Sequence, residues 1–165
     1  MTGYTCGDLF HQDQLIRDVK VFSQKILDKT KDLKTIFVYG APVLYKDKLY
    51  NSGIVAQSGK ILGIIPKIFI PNYREYYEKR WFASGAELKH DTINFIDKNI
   101  PFSSNIIFSH GEHFRFSVEI CEDLWSVIPP SSHHSISGAT VIANLSASNE
   151  IVGKSNYRKD LVKYF

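Results

Sequence analysis

The run Phe116 to Trp125, Phe-Ser-Val-Glu-Ile-Cys-Glu-Asp-Leu-Trp, constrains this chain more than any other stretch, because an apolar strand there delivers a cysteine into a sharp acidic turn. Upstream the alternation is clean, with Phe114, Phe116, Val118 and Ile120 on one face and Arg115, Ser117, Glu119 and Cys121 on the other. Cys121 therefore points away from the main apolar face, as a mounted thiol nucleophile would. A lone cysteine near a strand end also reads as a small buried hydrophobe. The choice between the two depends on what the rest of the chain can bring to the thiol.

Lys67 is the residue that bears on it, set in the apolar run Ile64-Ile65-Pro66-Lys67-Ile68-Phe69-Ile70-Pro71. On its own, such a lysine reads as one that snorkels its ammonium out of a half-buried strand. A cysteine beside Glu122 and Asp123, however, faces two like charges that oppose a thiolate, so a cation must compensate if it is to react near neutral pH. Lys67 is the candidate.

These residues resemble the nitrilase, or carbon–nitrogen hydrolase, superfamily, whose motifs are a glutamate, a lysine in a Lys-x-x-x-Pro segment and a cysteine at a strand end. Lys67 to Pro71 and Cys121 match two of the three. The narrower resemblance is to the glutaminase domain of glutamine-dependent NAD synthetases. Three stretches carry it: Thr2-Gly3-Tyr4-Thr5-Cys6-Gly7-Asp8-Leu9-Phe10, the segment Pro66 to Phe82 with its Tyr-Arg-Glu-Tyr-Tyr-Glu core, and Asn144-Leu145-Ser146-Ala147-Ser148-Asn149-Glu150. With the cysteine strand they span nearly the whole chain.

The resemblance implies an α/β fold of the nitrilase-like αββα sandwich type, partial here, without the first strand and the C-terminal part. It also implies that residues 1–165 are part of a glutaminase domain and that a synthetase domain lies outside this chain. The superfamily glutamate is expected just before the Thr-Gly-Tyr segment, where Met1 stands, and neither Asp8 nor Glu78 replaces it by motif. The expectation is a chain truncated at both ends and, expressed alone, without glutaminase turnover. The second sheet of the sandwich is expected from another copy, in a homo-oligomer.

By the same resemblance, Cys121 is the nucleophile on the side-chain amide of glutamine, Lys67 stabilises the oxyanion, and Glu78 is a second acid that orients Lys67 or the leaving amine. Tyr73, Glu122 and Trp125 match positions lining the glutamine pocket. Ser148 matches one that holds the amino-acid end, Lys154 one that holds the carboxylate, and Ser146 is a weaker member of the same set. As bare sequence features, Glu78 reads as a surface acid and the Asn-x-Ser-x-Ser stretch as ordinary loop chemistry. The ammonia would serve the ATP-dependent amidation of deamido-NAD, with glutamine and the synthetase domain as partners. ATP and magnesium belong to that domain alone, and no cofactor is expected here. A stand-alone amidase with another substrate and a non-catalytic remnant are the other readings.

Composition agrees with a piece of a soluble cytoplasmic enzyme. A length of 165 residues, 44% hydrophobic and 13% aromatic, supports one domain with a core and argues against disorder. No apolar run approaches the roughly 18 residues a membrane span needs, and the N-terminus lacks a signal-peptide pattern. Cys6 and Cys121 make neither a disulfide framework nor a metal pattern, which suits a reduced cytoplasm. The net charge of +3 is scattered, so neither nucleic acid nor a membrane is implied as a partner. Lys154, Arg158, Lys159 and Lys163 read as a solvated helix face, Lys154 excepted. His133 and His134, after Pro129-Pro130, read as loop residues with no partners for a metal.

A helix is predicted from Asp13 to about Thr30, with Leu15, Val19, Phe22 and Ile26 as its core face. Strands are predicted over Thr35 to Pro42, over Leu49 to Gln57 and Lys60 to Ile65 around a Ser58-Gly59 turn, and over Asn105 to Phe108 and His113 to Ile120 around His110-Gly111. Lys67 opens a long aromatic loop to near Gly85, and Ala139 to Leu145 is the last strand. A final helix starts at Asn156, with an apolar face of Tyr157, Leu161, Val162 and Phe165.

Overall fold

The computed structural model describes residues 1–88 and 90–164. After a 3-10 turn at Gly7–His11, helix α1 (Asp13–Thr30) leads into three long strands, β1 (Ile36–Tyr45), β2 (Lys48–Gln57) and β3 (Lys60–Pro66). The aromatic segment then holds the two-residue strands β4 (Asn72–Tyr73) and β5 (Tyr76–Tyr77) and a 3-10 turn at Glu78–Arg80. A hairpin of β6 (Asp91–Phe95) and β7 (Lys98–Phe102) follows, then β8 (Phe108–His110) and β9 (Phe114–Ile120). A 3-10 turn at Cys121–Trp125, helix α2 (Pro130–Ile136), β10 (Val141–Leu145) and helix α3 (Lys154–Tyr164) complete it.

Two sheets carry the fold. The five-stranded sheet runs β1-β2-β3-β7-β6, and the three-stranded sheet runs β10-β9-β8. Strand β10 lies parallel to β9, a pairing that requires a crossover, and α2 lies in that crossover. Alternation along β2 and β3 sends Ile54 and Ile64 into a core with Val19 of α1, while Val55 and Ile65 meet Phe116 and Val118 of the second sheet. With α1 outside one sheet and α2 against β9, the layers run α, β, β, α. Both β layers come from this chain, which corrects the expectation that the second would come from another copy. The sheets approach closely at Gly53, where a Cβ would stand 3.0 Å from Leu145 Cδ1 and 3.2 Å from Val118 Cγ1.

Several sequence expectations are corrected. Helix α1 has the predicted span, but its buried residues are Val19, Ser23 and Leu27, and Phe22 is exposed with Lys25 over its ring. On β9 the second face is buried as well: Ser117 and Glu119 are withdrawn from solvent because α2 covers that side, where Glu119 accepts from the Ser131 N–H. The same helix takes in His133 and His134, and it starts on Pro130 as helices favour. Residues 103–105 form a turn in which the Asn105 N–H donates to Ser103 Oγ, so the strand starts at Phe108. On α3, Tyr157 and Val162 are exposed, and Phe165 lies outside the described residues.

Candidate active site

Strand β9 ends where the backbone turns left-handed at Cys121, φ +48°. A side chain rarely adopts that conformation, which costs about 1–2 kcal/mol and lifts the thiol out of the strand's register. Surrounding groups hold the bend. Asn144 of β10 donates through Nδ2 to Glu119 Oε1 (3.1 Å) and to the Cys121 carbonyl (3.5 Å), and Ser146 Oγ lies 3.6 Å from Cys121 Sγ. Asp123, in the turn itself, accepts the Ile120 N–H at 2.9 Å.

Lys67 does not snorkel. Its N–H donates to the Asn51 carbonyl and its carbonyl accepts from Gly85, each at 2.8 Å, so the residue after β3 is pinned on both sides. Its ammonium is fully buried and donates to Glu78 Oε1 at 2.7 Å. Glu78 also accepts from the Tyr4 hydroxyl at 3.0 Å and from Asn51 Nδ2 at 3.3 Å, which corrects its reading as a surface acid. Burial, and then the Glu78 charge, raise the Tyr4 phenol well above its ordinary value, so Tyr4 remains a donor.

A cavity of about 270 Å³ joins these parts, with Met1, Thr2, Tyr4, Lys67, Cys121 and Ser146 in its wall. Cys121 and Tyr4 also line a second hollow of about 390 Å³, whose wall contains Glu78, Tyr73, Glu122, Trp125, Ser148 and Lys154. There the Tyr73 hydroxyl donates to Glu122 Oε1 at 2.8 Å, and burial followed by that hydrogen bond pushes the phenol up to about 12. Lys154 Nζ donates to Ser148 Oγ at 2.6 Å and to Asn149 Oδ1, and lies 5.4 Å from the centre of the Trp125 ring. Trp125 in turn stacks on Tyr157 of α3, centroids 5.5 Å apart. All nine residues singled out in the sequence therefore border one of two hollows that meet at Cys121.

Sequence reasoning missed Tyr4, Asn51, Asn144 and the part taken by Asp123. Asp123 is not a free like charge beside the thiol. Burial pushes its carboxyl up to about 7 against the N–H donors of Phe69 and Ile120. Glu119 adds to the rise and Lys67 opposes it. Of these residues Tyr4 and Asn144 carried a signal as members of the Thr-Gly-Tyr and Asn-Leu-Ser segments, Asp123 one only as an acid beside the cysteine, and Asn51 none.

No family model matches the chain. It is 36% identical over 165 residues to the glutamine-dependent NAD(+) synthetase of Mycobacterium leprae, which covers 99% of this chain and 24% of that protein. The chain thus spans about a quarter of the length of the curated relatives it matches. Among solved structures, a glutamine-dependent NAD(+) synthetase from Cytophaga hutchinsonii superposes with a TM-score of 0.83 at 30% identity, over 97% of this chain and 25% of that one. An amidase of the nitrilase superfamily from Nesterenkonia AN1 shares the fold, with a TM-score of 0.62 at 16% identity over 90% of this chain and 50% of that one. The chain is thus homologous, over nearly its whole length, to about a quarter of the length of the glutamine-dependent NAD(+) synthetases, and its fold is one that an amidase of the nitrilase superfamily shares.

Proposed function

We propose that this chain carries the centre of a glutaminase unit, which releases ammonia from glutamine for the synthesis of NAD in a separate synthetase domain. The observation that carries the reading is the left-handed bend presenting Cys121 to the cavity that Lys67 also lines. Cys121 Sγ attacks the amide carbon of glutamine, and the carbonyl oxygen takes the negative charge beside the Lys67 ammonium. Collapse breaks the carbon–nitrogen bond, the amine takes the proton that the thiol gave up and leaves as ammonia, and a thioester remains. Water then adds to the thioester and glutamate departs as the thiol is restored.

Glu78 serves Lys67 rather than the substrate, since its oxygens already accept from Lys67, Tyr4 and Asn51. The proton carrier is expected, by resemblance, at the position just before Thr2. That position fits the chemistry, because Met1 and Thr2 line the cavity of Cys121. The second hollow suits the amino-acid end of glutamine: Lys154 supplies a cation for a carboxylate, and Glu122 with Tyr73 supplies acceptors for an ammonium.

The test is active-site labelling with a diazoketone analogue of glutamine, followed by peptide mass spectrometry. Labelling of Cys121 but not Cys6, suppressed by glutamine, is the expected result. Labelling of both cysteines at equal rates, or labelling that glutamine leaves unchanged, overturns the assignment.

A further inference from the structure

We propose that Asp123 is a positioning residue that fastens the lysine-bearing loop to the cysteine bend, so that Lys67 and Cys121 hold one relative geometry. The proposal rests on the reading of Lys67 and Cys121 as a reacting pair. Cys121 hangs from β9 in the three-stranded sheet, whereas Lys67 leaves β3 in the five-stranded sheet and is registered there by Asn51. Two residues on different sheets do not keep a fixed separation through sequence alone, and a displacement of about 1 Å at such a centre can cost a hundredfold in rate.

Asp123 spans that junction. Its Oδ1 accepts from the Phe69 N–H at 2.8 Å and the Ile68 N–H at 3.2 Å, directly after Lys67, while Oδ2 accepts from the Ile120 N–H at 2.9 Å, directly before Cys121. The side chain is buried, so water does not compete for these donors. The geometry calls for a carboxylate rather than its amide isostere, because both oxygens face N–H groups and an amide NH2 would oppose donor to donor. Glutamate would supply both acceptors one methylene too far along.

The test is a mutant cycle read by alkylation of Cys121 with iodoacetamide at about pH 8.5, where Asp123 is ionised, using Asp123→Asn, Lys67→Met and the double variant. Alkylation at least about tenfold slower in Asp123→Asn is expected, with the double variant no slower than Lys67→Met alone, since Asp123 acts through the lysine. Wild-type reactivity in a folded Asp123→Asn, or losses that multiply in the double variant, overturns the proposal. Amide hydrogen exchange in the unmutated chain decides the matter if a variant does not fold. Ile68 and Phe69 N–H groups protected to the level of β9 support the fastening, and exchange at the rate of exposed loops overturns it. Neither readout needs glutamine, so an intact cycle in a protein that ignores glutamine would sink the functional reading and leave the fastening in place.

Discussion

Lys67 Nζ and Glu78 Oε1 lie 2.7 Å apart with both side chains withdrawn from solvent, an ion pair buried between the end of β3 and the turn after β5. Its two ends are supported unequally. Among the described residues the ammonium donates to Glu78, whereas the carboxylate also has Tyr4 and Asn51. Removing one member of a buried pair typically costs about 3–5 kcal/mol, because the other is left charged and dry. Glu78→Gln is therefore expected at the upper end of that range by urea unfolding and Lys67→Met at the lower end, with the double variant losing less than the sum. Equal, additive losses would show that the pair is not coupled.

Asp123 gives the chain a pH dependence of a definite sign. Its folded pKa, about 7, lies above the ordinary 3.8 because burial penalises the charged form. The folded state thus holds the proton more tightly than the unfolded state. The stabilisation is complete below the unfolded value and is lost as the pH rises through about 7. Relative to Asp123→Asn, which does not titrate, the wild-type chain is expected to lose on the order of 4 kcal/mol between about pH 4 and pH 8. Glu119 works with this effect and Lys67 against it. A wild-type advantage that grows with pH would mean that the N–H donors outweigh burial.

Gly85 is set by contact. A Cβ there would stand 2.6 Å from Pro66 Cγ and 3.0 Å from the Pro66 carbonyl oxygen, one residue before Lys67, whose own carbonyl accepts from the Gly85 N–H. Gly85→Ala is expected to cost about 1–3 kcal/mol as overpacking and to slow labelling of Cys121 by shifting Lys67. Gly40→Ala, whose Cβ would meet no atom within 4 Å, is the matched control. Equal melting temperatures for the two variants would refute the contact argument.

The parts that were legible in the sequence obey local rules. Helix α1 and the β2–β3 hairpin follow periodicity and the Ser58-Gly59 turn, and both have their predicted places within a residue. The β1–β2 and β6–β7 hairpins turn instead on Lys46-Asp47 and Ile96-Asp97, all four at positive φ, without the glycine that usually announces such a turn. Ile96 is held there by packing on the core, a tertiary effect that no local pattern carries. The site divides along the same line. Cys121 and Lys67 stood out because each breaks the expectation of its own strand, while Glu78 was readable as buried only through the resemblance. Asn51, Asn144 and, through the Ile68 and Phe69 N–H groups, Asp123 act on partners far along the chain, and no local pattern announces those pairings.

One wall of the second hollow is closed by an aromatic stack, beside polar ties from Asn149 to Glu75 and from Arg158 to Glu150. Helix α3 is mostly exposed, and Tyr157 meets Trp125 at 5.5 Å and 24° between planes, while Lys154 at the start of α3 ties Ser148 and Asn149 together. A helix of 11 residues with so little buried surface is marginal by itself, so losing the ring should free it without unfolding the two sheets. For Tyr157→Ala the expected outcome is a largely unchanged main unfolding transition, faster proteolysis between Gly153 and Tyr164, and weaker protection of Cys121 by glutamine against the diazoketone. Trp125→Ala should act in the same direction and more strongly, since it also removes the ring beneath the Lys154 ammonium. Unchanged proteolysis with full glutamine protection in Tyr157→Ala would show that α3 is held by other contacts and that the stack does not shape the hollow.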